Sequence, residues 1–112
     1  MYHKIFDGTV PAGTTVADPT ICHLYDRYTH HALEYAISGD GTAKIHIKSS
    51  ISGENFIPQG YAAKGLTKAS GPDGDGIGLV ELKLRAAEFI TFSVEETGES
   101  DEVTVVAYLV QK

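Results

Sequence analysis

Tryptophan is absent from this chain of 112 residues, cysteine occurs once, and nine basic residues stand against fifteen acidic ones. A lone cysteine, Cys22, excludes an internal disulfide and any metal site built from several thiolates. The shortage of Lys and Arg, with a formal net charge of −6, argues against a nucleic-acid binder, whose affinity comes largely from cations on phosphates. No apolar run approaches the ~18 residues of a membrane span. The opening "MYHKIFDGTV" lacks the basic start and apolar core of a signal peptide. These deficits lead to the expectation of a chain that folds in a reducing cytoplasm, with neither nucleic acid nor membrane as partner.

What is present is strand after strand. The size fits one domain over residues 1–112, long enough to bury a core without staples. In "HALEYAIS" Leu33, Tyr35 and Ile37 share one face, and in "TAKIHIKSSI" Ala43, Ile45 and Ile47 oppose Lys44, His46 and Lys48. "EFITFSVEE" places Ile90, Phe92 and Val94 together, and "LVELKLRAA" sets Leu79, Glu81 and Lys83 against Val80, Leu82 and Leu84. A period of two marks half-buried strands. "HKIFDGTV", "PTICHLY" and "EVTVVAYLVQK" add further runs of strand formers. "SGDGT" at 38–42 predicts a hairpin connection, "ENFIPQGYA" a short apolar patch closed by Pro58, and 67–78 one long glycine-rich loop. About eight short strands with turn signals between them predict an all-β chain, a single antiparallel β-sandwich of jelly-roll type.

Chemistry is sparse. In "PDGDGIG" Asp73 and Asp75 match the first ligand positions of an EF-hand, but Ile77 and Leu84 fall where later ligands belong. The glycines of the same loop lack the strand-to-helix context of a phosphate cradle. Among His3, His23, His30, His31 and His46 no pair has metal-site spacing, and the carboxylates Glu34, Glu54, Glu81 and Glu88 sit on separate segments. Cys22 has His23 beside it, but neighbours on a strand face apart, so it reads as a small buried hydrophobe. The acidic run "EETGESDE" at 95–102 reads as a solvated turn. The expectation is a protein that is not an enzyme and uses no cofactor or metal.

The order of the second half carries a resemblance. A glycine turn, "TAKIHIKSSISGENFIP", a glycine-rich loop, "VELKLRAAEFITFSVEE" and a terminal "VTVVAYLVQK" follow one another. This resembles small β-sandwich structural proteins of tailed bacteriophages and prophages, with Ser52 standing where those often carry Asp. The resemblance covers residues 34–112 and implies a virion protein made in the host bacterial cytoplasm. It implies head decoration (cement) or a neck or tail role, with capsid decoration as the leading expectation, as a dimer or trimer on the major capsid protein or another virion protein.

Contact regions are expected in residues 1–11 and 67–78, since chain ends and long loops commonly carry contacts. The named interface candidates are Tyr2, His3, Ile5, Phe6, Tyr25, Arg27, Tyr28, Tyr61, Lys64 and Lys68. An alternative is a carbohydrate- or receptor-binding module that uses Tyr25, Arg27, Tyr28 and Tyr61 around a concave face.

Overall fold

The computed structural model describes residues 2–18, 20–24, 28–82 and 89–112. The strands are β1 (Tyr2–Val10), β2 (Thr15–Ala17), β3 (Cys22–His23), β4 (His31–Gly39), β5 (Ala43–Ser50), β6 (Ile57–Leu66), β7 (Ile77–Leu82), β8 (Phe89–Glu96) and β9 (Val103–Gln111). One sheet has the order β1-β9-β4-β7; the other runs β2-β8-β5-β6, with β3 also on β8. Every pairing is antiparallel. Because β2 and β3 both pair with β8, they share one strand position, β2 ending at Ala17 and β3 beginning at Cys22. Eight positions result, in the order of a jelly roll, as the sequence predicts.

Alternation builds the core. Leu33, Tyr35 and Ile37 from β4 and Val103, Val105, Ala107 and Leu109 from β9 meet Ala43, Ile45 and Ile47 from β5 and Ile90, Phe92 and Val94 from β8. Ile45, Ile90, Leu33 and Leu109 are fully buried, and each such side chain stabilises the fold by roughly 1.5–3 kcal/mol relative to leaving it exposed. Gln111 closes one end from within: its amide nitrogen donates to the His23 carbonyl at 3.2 Å and so ties β9 to the opposite sheet.

Three local expectations change. Residues 39–42 do not close a hairpin, because β4 and β5 belong to different sheets. The glycines turn the chain across the sandwich, and Gly41 N donates to Glu102 O at 2.9 Å to pin the corner. Pro58 does not end the patch at "ENFIP" but lies within β6, an edge strand whose outer side needs no amide donor. Lys83 and Leu84 lie outside the described residues.

The third correction concerns the acidic run. Glu96 is buried, not solvated. Its carboxylate accepts the amides of Thr42 (2.8 Å), Gly13 (3.0 Å), Gly98 (2.8 Å) and Glu99 (2.6 Å). Those amides belong to the β4–β5, β1–β2 and β8–β9 connections, all of which cross between sheets. One side chain therefore fastens three crossings. The Thr42 amide, helped by the other three, holds the carboxyl down to about 2 against the upward push of burial.

Candidate functional site

The 51–56 connection between β5 and β6 is the one link described here that joins neighbours in the same sheet. Ser50 Oγ accepts the Gly53 amide at 2.9 Å, and Ser52 Oγ accepts the Glu54 amide at 3.2 Å. Short hydroxyl side chains bond nearby backbone in this way and replace ladder bonds in turns. Gly53 adopts φ +84°, which a residue with Cβ rarely reaches, and a Cβ added there would come against the Phe89 ring. Phe89 in turn stacks on His23, ring centres 5.0 Å apart. The loop is thus held from inside by hydroxyls and from behind by an aromatic pair.

Two bare isoleucines bracket this loop, Ile51 within it at 69% exposure and Ile57 at the start of β6 at 62%. They flank a recess of about 430 Å³ whose other walls are Ser49, Ser50, Ser52, Asn55 and Gln59. None of these seven side chains is a carboxylate, histidine, cysteine or lysine. The recess can bury apolar surface and exchange hydrogen bonds with hydroxyls and amides, and it offers no group poised to transfer a proton. Among the described residues no three His, Cys, Asp or Glu side chains come together to hold a metal ion. In the 67–76 loop Asp75 instead accepts the Ile77 amide at 3.2 Å.

Among the described residues, the interface candidates named from sequence lie at separate places. Ile5 and Phe6 are core residues, at 1% and 3% exposure. A bulge between Lys4 and Phe6 inserts one extra residue into β1, so two consecutive side chains point inward. His3 is half-buried opposite Leu109, and Tyr28 is half-buried. Tyr2 is exposed on the outer face of the first sheet, stacked on Tyr108 at 4.5 Å and donating to Glu34 Oε2 at 3.2 Å. Tyr61 lies on the outer face of the other sheet, its ring between Lys64 at 5.1 Å and Lys44 at 5.3 Å. Lys68 pairs with Asp40 at the end where Glu96 sits. Tyr25 and Arg27 lie outside the described residues.

Ile51 and Ile57 were legible as apolar residues in a polar setting, but the period of two gave no reason to expose them. Cys22 is buried as expected, and burial, with the nearby Asp18 charge, pushes its thiol up to about 11.

No family model and no curated protein matches the chain. A solved structure does match: that of Aeromonas hydrophila PliG, a periplasmic lysozyme inhibitor of g-type lysozyme. The likeness covers 98% of this chain and 87% of that one, with 13% identity and a TM-score of 0.53. At that identity the match establishes the sandwich and nothing finer. It overturns the expected capsid-decoration role and the expected virion location, together with the viral character on which both rested. The solved structure that this chain resembles over nearly its whole length is that of a protein titled as a periplasmic inhibitor.

Proposed function

We propose that this chain is a non-catalytic protein-binding module, which blocks a partner enzyme by seating the β5–β6 loop in a cleft. A lysozyme of g type is the partner to test first, because the solved structure of like fold is titled as an inhibitor of that enzyme. The observation that carries the reading is the pair Ile51 and Ile57, exposed at the two ends of a loop that Ser50, Ser52 and Gly53 brace. Exposed apolar side chains on an ordered loop bind with little ordering cost, so their burial goes into affinity. Net charge of −6 adds attraction towards a cationic partner and speeds encounter.

The test is a binding titration against purified g-type lysozyme, paired with a cell-wall lysis assay. Saturable binding with loss of lytic activity is expected, and Ile51→Asp should weaken it at least tenfold. Full lytic activity at a large excess of this chain removes the lysozyme as partner. Inhibition that survives both Ile51→Asp and Ile57→Asp removes the loop as the site.

A further inference from the structure

The outer face of the first sheet is not flat, and its register gives the reason. Tyr2, Val110, Ala32 and Glu81 stand in one row across β1, β9, β4 and β7, and Lys4, Tyr108, Glu34 and Leu79 stand in the next. Ala32 has the shortest side chain of the two rows, so the surface dips over it between taller neighbours. The result is a recess of about 410 Å³ with Ala32 and Val110 as its apolar floor.

The walls differ in character. Leu79 is bare, at 65% exposure. Tyr2 reaches across β9: its ring stacks on Tyr108 at 4.5 Å and its hydroxyl donates to Glu34 Oε2 at 3.2 Å, which fixes both side chains. Glu81 completes the wall on the β7 side. Among the described residues no cation pairs with Glu34 or Glu81.

A second recess of about 420 Å³ adjoins the first, sharing Glu34 and Leu79 and adding Asp73, Asp75 and the exposed Ile77. Against these four carboxylates the two recesses hold one lysine, Lys112, with His30 and His31 at the same end. Burial keeps His31 below the ordinary histidine value, and so uncharged at neutral pH. Lys4, in the second row, is already matched by Asp7 at 3.1 Å.

An apolar floor, an aromatic wall and unmatched carboxylates in one recess have a definite complement. Lysine and arginine lay an aliphatic stem along apolar surface and carry their charge at its end. A tyrosine ring attracts that charge, as a carboxylate does. A neutral or acidic side chain gains neither contact. We propose that the recess seats a lysine or arginine side chain of a partner protein, its stem over Ala32 and Leu79 and its charged head between Glu34 and Glu81. Those two carboxylates are diagonal neighbours on adjacent strands, roughly 7–8 Å apart at the backbone, a gap that one guanidinium or ammonium group bridges. The complementarity of charge sets the choice of partner more than its affinity. The site lies on the opposite sheet from the β5–β6 loop and does not depend on it.

An NMR titration of the labelled chain with a blocked Gly-Arg-Gly peptide tests the proposal, with Gly-Glu-Gly and calcium chloride as counterparts. Saturable shifts of the Ala32, Glu34, Leu79 and Glu81 amides are expected with the arginine peptide alone, at millimolar affinity. The double variant Glu34→Gln, Glu81→Gln should weaken binding at least fivefold, and Leu79→Gln at least twofold. Ile51→Asp should leave it unchanged, which separates this recess from the loop. Amides that stay still at the highest peptide concentration overturn the proposal, as does an equal response to the glutamate peptide. Calcium that displaces the peptide would assign the carboxylates to a metal ion instead. Binding that Leu79→Gln leaves intact would reduce the effect to attraction by acidic surface at large and overturn the recess as its seat.

Discussion

Glu96 Oε2 accepts the Thr42 amide at 2.8 Å, across 54 positions of sequence, and this contact fastens the end of β8 to the corner between β4 and β5. The same carboxylate holds Gly13, Gly98 and Glu99. Its folded-state value of about 2 lies below the ordinary 4.5, so folding favours the anion. The stabilisation is therefore complete above about pH 4.5 and is lost as pH falls through 2. Thermal melts from pH 2 to 7 should show the wild type losing stability across that window. Glu96→Gln should be less stable at neutral pH and flatter below it. Parallel curves for the two proteins would exclude the carboxylate as the source.

Removing the acceptor altogether is harsher. Glu96→Ala leaves four amides without their partner at a buried corner, and unmet buried donors cost more than ordinary bonds return. A fall in Tm of more than about 10 °C is expected for a domain of this size. Glu99→Ala removes an exposed side chain but keeps the amide that Glu96 holds, and should melt within a few degrees of the wild type. Equal losses in the two variants would show that the run acts through its total charge.

Ser50 is buried and its hydroxyl holds the Gly53 amide, so Ser50→Ala should release the β5–β6 loop without dismantling the sandwich. Loss of about 1 kcal/mol is expected, together with faster amide hydrogen exchange at Gly53. If the loop acts by being held in advance, this variant should also bind its partner more weakly through a slower approach or a faster release. Unchanged exchange at Gly53 would mean that the backbone keeps the loop in place without the hydroxyl.

The alternation of β4, β5, β8 and β9 was plain in the sequence because each strand has one face in the core: Ala43, Ile45 and Ile47 inward, Lys44, His46 and Lys48 outward. The jelly-roll class followed from strand number and spacing. What stayed hidden depends on partners distant in sequence. Glycines at 39–42 specify a reversal but not the sheet that receives the next strand. The bulge at Lys4 and Phe6 is defined only against β9, so Ile5 looked available for contact. Glu96 looked solvated because its donors come from residues as remote as Gly13. The candidate loop was half visible: the serines of "SISGENF" are turn formers, and they hold the turn here. The exposure of Ile51 depends on where the hairpin ends.

Ile45 sits at the centre of β5, opposite Val94 and with no exposed surface. Ile45→Ala removes buried methyl groups from between the sheets and should cost about 2–5 kcal/mol, depending on how far the neighbours relax. Ile51→Ala, at 69% exposure, should cost almost nothing. Urea unfolding of the two variants separates a residue kept for the core from one kept for contact.

Cys22 gives an independent readout of the same core. It is buried on β3 opposite Ile90, and its thiol is raised to about 11, so the reactive thiolate is scarce at neutral pH. Labelling by a thiol reagent at pH 8 should be slow in the native protein and fast in denaturant. Because β3 is two residues long, local opening there should expose the thiol before the whole sandwich unfolds. The labelling rate should then fall only weakly with global stability, and Ile45→Ala should speed it far less than its loss of stability would imply. A rate that tracks global stability one for one would show instead that β3 opens only with the rest of the fold.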